Sequence, residues 1–177
     1  MGSFHQPLAA FMEEHADEVL GRDAKALEKV IAASIRMKAE VVNRDERESG
    51  LRMILNLGHT VGHALEQATG YRTLLHGEAV GWGMVAALWL ARKRGTIAGR
   101  QFERLESLIH RYGPLPAVRL RAGKVVAAAA GDKKNLGGVR RFVLPVGIGD
   151  AAVVEDVTAA ELEAAVGYML ARAGEKA

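Results

Sequence analysis

Apolar residues recur at intervals of three and four along most of the chain, a spacing typical of amphipathic helices. The segment from about Ala24 to Asn43 shows it most clearly, and residues 77–94 are apolar almost all round, which predicts a buried central helix. The other predicted helices cover residues 7–20, 52–66 with an end at Gly70, 98–112, 122–130 and 158–173. After residue 139 the period changes, because residues 141–146 and 151–155 alternate around a glycine-containing turn and predict a hairpin. The sequence therefore predicts a mainly α fold: one multi-helical domain over residues 1–177 with one short β-hairpin.

A polar stripe interrupts the apolar pattern of the third helix. If residues 52–66 are helical, then Arg52, Asn56, His59, His63 and Glu66 share one face, since they are spaced by four, three, four and three. Their neighbours are apolar, so these polar groups need partners in the protein, a ligand or a metal ion. Two imidazoles one turn apart can bind one metal, or they can form an ordinary polar helix face.

Composition narrows the chemistry. The chain has 177 residues, no cysteine and a formal charge of +3. Without thiolates, any transition metal must be bound by imidazole and carboxylate, and the lack of disulfides fits a cytoplasmic protein. The basic residues are scattered, and the trio 92–94 ends a helix, so the pattern favours an anionic small substrate and not nucleic acid. No apolar run is long enough for a transmembrane helix, so no membrane partner is expected.

Three lysines are candidate substrate ligands. Lys38 lies on the apolar stripe of the second helix, where a lysine either extends its amine into solvent or acts in a site. Lys133 and Lys134 lie in a loop bracketed by Gly131 and Gly137, which either closes over a phosphate or forms a solvated turn. The acidic run 45–48 is expected to be an exposed turn.

Several motifs resemble those of the 3-dehydroquinate synthase family. The two most specific are LNLGHTVGHALE and LHGEAV. The matching stretches are Lys38–Val42, Asp45–Arg52, Leu55–Glu66, Leu75–Val80, Asp132–Asn135 and Arg141–Pro145. The resemblance extends from about residue 25 onward. It implies the helical carboxy-terminal domain of such an enzyme.

The resemblance also implies residue roles. It assigns His59 and His76 as metal ligands, Lys38, Glu48 and His63 as active-site residues, and Arg52, Asn56 and either Lys133 or Lys134 as substrate-binding residues. The metal is expected to be Zn²⁺ or Co²⁺ with an incomplete ligand set, because the family's metal-binding glutamate lies in a segment without a match in this chain. Another chain, Glu66 or Glu78 are the alternatives for that third ligand.

The expected activity is that of a phosphate-eliminating lyase of the shikimate pathway. The family cyclises a seven-carbon keto-sugar phosphate with loss of phosphate, using NAD bound by an amino-terminal domain that is absent here. We therefore expect the chain to be inactive alone and to need that domain in cis or in trans, with a homo-oligomer possible. The alternatives are a domain of a related sugar-phosphate cyclase, or a non-catalytic helical module that binds a partner.

Overall fold

The computed structural model describes residues 5–45, 50–113, 115–131 and 141–174. Within them the helices are α1 (His5–Glu14), α2 (Ala16–Leu20), α3 (Ala24–Arg44), α4 (His59–Ala68), α5 (His76–Lys93), α6 (Gly99–Tyr112), α7 (Ala122–Gly131) and α8 (Ala159–Gly174). A short 3-10 helix, Leu51–Asn56, precedes α4. The strands β1 (Phe142–Gly147) and β2 (Asp150–Val154) form one antiparallel hairpin. The predicted fold class, mainly α with one hairpin, is confirmed.

Helix α5 is the centre of the packing. Trp82 and Val85 are fully buried, and α5 contacts α4, α6, α8 and β1. The indole N–H of Trp82 donates to the carbonyl oxygen of Pro116 at 2.9 Å, so the one polar atom of this large core residue is satisfied. Among the described residues, no helix combines the length and the apolar character needed to cross a membrane.

The amino-terminal region differs from the prediction of one helix over residues 7–20. The helix breaks at His15, whose backbone (φ −115°, ψ 29°) is not helical, so α1 and α2 are separate. Both helices are attached to α6 by ion pairs. Arg104 binds Glu13 at 2.6 Å, and Arg111 binds Asp17 at 2.9 Å. The helical periodicity of residues 7–20 does not predict this break, because Arg104 and Arg111 lie some ninety residues away in the sequence.

The start of α8 is held against the end of α5. A capping box begins α8, since the backbone N–H of Thr158 donates to Glu161 and that of Glu161 donates to the Thr158 hydroxyl. Arg94 follows the last turn of α5 and binds Glu161 through two nitrogens, at 2.8 and 2.9 Å, and Asp156 at 2.7 Å. Arg94 was predicted only to complement the α5 dipole; it also forms this ion-pair network, hereafter the Arg94 clamp.

Candidate metal and substrate site

The continuous polar stripe considered for residues 52–66 is not formed. The 3-10 helix ends at Asn56, and Gly58, with a left-handed φ of +81°, separates it from α4. A Cβ on Gly58 would lie 2.6 Å from the carbonyl oxygen of Val80, so close packing on α5 also requires glycine here. Arg52 and Asn56 therefore belong to one element, where both are exposed, and the histidines belong to another.

Three histidines nevertheless come together. His59 and His63 lie one turn apart on α4, and their ring centroids are 5.5 Å apart. His76, the first residue of α5, lies 5.4 Å from His59 and 5.7 Å from His63 by the same measure. The antiparallel turn between α4 and α5 thus unites residues that are separated in the sequence, and we refer to the three as the histidine cluster.

Glu66 adds a carboxylate to the histidine cluster. Its side chain is 13% exposed, and both its oxygens lie 3.3 Å from Nδ1 of His76. One ligand atom each from His63, Glu66 and His76 all lie within 4.8 Å of one another, a spacing that can hold a metal ion. Glu78, the other carboxylate considered, accepts a hydrogen bond from the backbone N–H of Leu75 at 2.7 Å and so caps α5. Of the two, Glu66 is therefore the better placed to complete a ligand set.

The hydrogen bonds of His59 and His76 indicate which nitrogen of each ring is available to a metal ion. An ionised carboxylate only accepts hydrogen bonds, so Nδ1 of His76 is the protonated nitrogen that faces Glu66. Nδ1 of His59 lies 3.3 Å from the carbonyl oxygen of Leu57, which can likewise only accept. In both neutral rings Nε2 then carries the lone pair that a metal requires.

Four predicted site residues remain: Lys38, Glu48, Lys133 and Lys134. Lys38 lies on α3 and is exposed. Glu48, Lys133 and Lys134 lie outside the described residues, so their roles stay predictions.

Asp45 was missed by sequence reasoning. The run 45–48 was interpreted as an exposed turn, but Asp45 is only 3% exposed. Its Oδ2 accepts hydrogen bonds from the backbone N–H groups of Gly50 at 3.0 Å and of Arg52 at 2.9 Å. Asp45 thereby fixes the start of the 3-10 helix that carries Arg52 and Asn56. The donors lie five and seven residues beyond Asp45, outside the short-range patterns in which an aspartate side chain commonly binds the backbone, so the local sequence does not predict these bonds.

A separate apolar cavity of about 360 Å³ lies between α3, the 3-10 helix, α5, α6 and the hairpin. Apolar residues of the 3-10 helix, Leu51, Ile54 and Leu55, contribute to its lining, together with Leu57 and Met84. The charged residues of the lining are Glu40, Arg44 and Asp150, and Arg44 is already paired with Glu40. An anionic sugar phosphate would therefore lose hydration and gain few partners for its charges there. The histidine cluster, whose nitrogen and oxygen donors suit a metal ion, is therefore the better candidate for the chemistry.

Comparisons with known proteins point to the same family as the motifs. Residues 4–135 match the family described as 3-dehydroquinate synthase C-terminal. The 3-dehydroquinate synthase of Solibacter usitatus is 46% identical over 148 residues, which is 83% of this chain and 42% of the relative. That of Acidithiobacillus ferrooxidans is 45% identical over 158 residues, 89% of this chain and 43% of the relative. The chain thus spans less than half the length of these curated relatives.

Two solved structures share the fold. A 2-epi-5-epi-valiolone synthase from Streptomyces hygroscopicus subsp. jinggangensis, with NAD+ and Zn²⁺ bound, superposes with a TM-score of 0.82 at 29% identity. The superposition covers 94% of this chain and 47% of the other. A 2-deoxy-scyllo-inosose synthase complexed with carbaglucose-6-phosphate, NAD+ and Co²⁺ has a TM-score of 0.68 at 22% identity, covering 80% of this chain and 41% of the other. At that identity the second likeness supports the fold alone.

Proposed function

Because the chain belongs to the family of 3-dehydroquinate synthase carboxy-terminal domains, we propose that it is the metal- and substrate-binding part of a 3-dehydroquinate synthase. The activity is the cyclisation of a seven-carbon keto-sugar phosphate with loss of phosphate. The observation that carries the proposal is the histidine cluster with Glu66 beside it. The cysteine-free composition supports a cytoplasmic location.

The donor set fits a divalent transition metal. Imidazole nitrogen and carboxylate oxygen suit Zn²⁺ and Co²⁺, whereas Mg²⁺ and Ca²⁺ prefer sites built from oxygen alone. We assign His59 and His76 as ligands through Nε2, with Glu66 orienting His76 from its Nδ1 side. Metal-binding histidines commonly donate their second N–H to a carboxylate or a backbone carbonyl, and both rings have such a partner here. The spacing of His63, Glu66 and His76 favours a second arrangement in which Glu66 binds the metal directly.

When bound, the metal would act as a Lewis acid that stabilises negative charge on the substrate hydroxyl that NAD oxidises. Arg52 offers a planar fork of N–H donors to the phosphate or the carboxylate of the substrate, and Asn56 can bind a hydroxyl. His63 is exposed at the cluster. Imidazole is the side chain best suited to accept and return a proton, so His63 is the candidate for that role. Lys38, Glu48 and either Lys133 or Lys134 complete the site by resemblance.

NAD must come from elsewhere in the assembly. The valiolone synthase that resembles this chain over 94% of its length binds NAD+ and Zn²⁺, yet this chain covers only 47% of that protein. We propose that the chain works with an NAD-binding part, in cis or in trans, within a homo-oligomer, and that it neither binds NAD nor turns over substrate alone. The fold similarity also favours a second candidate function, a related sugar-phosphate cyclase that forms a different ring. The higher identity to 3-dehydroquinate synthases, 46%, favours the first.

A chimera tests the proposal. This chain replaces the matching carboxy-terminal region of the Acidithiobacillus ferrooxidans enzyme, which is 45% identical to it, and phosphate release is measured with NAD and Zn²⁺. We expect release from the chimera, none from the chain alone, and loss of release in the His76→Ala chimera but not in His15→Ala. Phosphate release by the isolated chain would contradict the proposal. So would a chimera that binds NAD and metal yet leaves the keto-sugar phosphate intact.

A further inference from the structure

The two helices that carry the histidine cluster touch backbone to backbone. A Cβ built on Gly83 of α5 would lie 1.9 Å from the carbonyl oxygen of Gly58, and one built on Gly62 of α4 would lie 3.1 Å from Cα and N of Val80. No side chain separates the helices at these points. Only glycine allows this approach, which is closer than side chains permit in ordinary helix packing.

Two glycines directly precede cluster histidines: Gly58, the residue before α4, precedes His59, and Gly62 within α4 precedes His63. On the other helix, His76 lies one turn before Val80, so the contact and the histidine are on the same end of α5. Any change in the separation of the two helices therefore moves the α4 rings relative to His76. The rings are now 5.4–5.7 Å apart by centroid. Zinc–nitrogen bonds of roughly 2.0–2.1 Å leave little tolerance for such a shift.

We propose that Gly62 is a positioning residue for the metal site: its lack of a side chain sets the α4–α5 distance at which the imidazoles share one ion. This inference rests on the proposed function. An alanine at position 62 would meet Cα and N of Val80 and the carbonyl carbon of Ala79, at 3.1–3.2 Å. Because backbone atoms cannot rotate away, the helices must separate by a few tenths of an ångström. The domain can tolerate that shift, since alanine also favours the helical conformation over glycine.

The chain supplies two matched controls on α5. Gly77 is adjacent to His76, and a Cβ there has nothing within 4 Å, so Gly77→Ala changes helix propensity without touching the crossing. Gly81 faces the side chain of Leu115, which its Cβ would meet at 2.7 Å. Gly81→Ala therefore disturbs packing on another face of α5 and leaves the contact with α4 intact.

The test is a Co²⁺ titration of the wild-type chain and the three variants, followed by the cobalt d–d absorption. The increase in Tm that saturating Co²⁺ causes is measured in parallel. We expect Gly62→Ala to bind Co²⁺ about tenfold more weakly, with an altered d–d spectrum and a smaller metal-induced increase in Tm. Gly77→Ala should match the wild type in Co²⁺ affinity, in the d–d spectrum and in the metal-induced increase in Tm. Gly81→Ala should keep the wild-type affinity and spectrum.

Three outcomes would contradict either the positioning role of Gly62 or the proposed metal site. Equal affinity and spectra in folded Gly62→Ala and the wild type would overturn the positioning role alone. Loss of cooperative melting in Gly62→Ala would overturn it too, because the inference requires only a small displacement. A wild-type chain that gives no Co²⁺ signal would instead overturn the proposed metal site.

Discussion

The Arg94 clamp should contribute measurably to stability, and the substitution Arg94→Met removes its charge while keeping an apolar stem. The Arg94 side chain is 19% exposed, and it binds both oxygens of Glu161 and one of Asp156. Its hydrogen bonds, with a smaller contribution from the backbone of Thr158, lower the pKa of Glu161 from 4.5 to about 2. The same contacts raise the pKa of Arg94.

The magnitude follows from the shift in that pKa. Lowering the pKa of Glu161 from 4.5 to about 2 corresponds to ~3.4 kcal/mol in the free energy of unfolding, before solvent screening is considered. The Glu161 side chain is 34% exposed, so screening reduces the contribution to about 1–2 kcal/mol. For a chain of this size such a loss lowers Tm by about 2–8 °C. Arg92→Met is the matched control, because Arg92 is exposed in the last turn of the same helix.

The direction of the shift in the pKa of Glu161 determines how the stabilisation by the Arg94 clamp depends on pH. The folded-state pKa of Glu161 lies below its unfolded value of 4.5, so its contribution is fully present above that pH and is lost as pH falls toward about 2. Urea unfolding of wild type and Arg94→Met should differ by about 1–2 kcal/mol at about pH 7, and by less than half of that at about pH 3. A difference that is absent at neutral pH, or unchanged at the lower pH, would contradict the stabilising role of the Arg94–Glu161 ion pair.

Four further substitutions test the histidine cluster and the backbone capping by Asp45, two at each. His59→Ala should weaken Zn²⁺ binding about tenfold or more if His59 and His76 are the ligands, and His63→Ala should do so if His63, Glu66 and His76 are; isothermal titration of both variants distinguishes the arrangements. Asp45→Ala should cost about 1–3 kcal/mol in urea unfolding, because the N–H groups of Gly50 and Arg52 lose their acceptor. Asp45→Asn keeps an oxygen there and should cost less, and an equal cost in the two variants would contradict the capping role.

The long helices could be predicted from the sequence because their periodicity is local. The segment predicted from about Ala24 to Asn43 forms Ala24–Arg44, and the one predicted over 77–94 forms His76–Lys93. Helix α5 buries eight of its residues, so burial favours its helical conformation, whereas α3 buries only Ala26 and Val41 and leaves Ile31 and Ile35 exposed.

The break before α4 could not be predicted from spacing. Steps of four and three fit one helix from Arg52 to Glu66, but Gly58 adopts a left-handed conformation against Val80 and Met84 of α5. That contact is tertiary, so it overrides a periodicity that measures only local order. The same holds for the pairing of His76 with Glu66, which requires the turn between two helices and lies ten residues apart in sequence.

A Zn²⁺ titration of the purified chain by calorimetry is the direct measurement of metal binding by the histidine cluster. The comparison includes His76→Ala, since His76 belongs to both proposed ligand sets, and His15→Ala, which removes an exposed histidine at the junction of α1 and α2. We predict that the wild type and His15→Ala bind Zn²⁺ with the same affinity. For His76→Ala we predict a loss of at least about tenfold. Equal affinity in all three proteins would contradict the claim and would leave the three imidazoles as an ordinary polar surface between two helices.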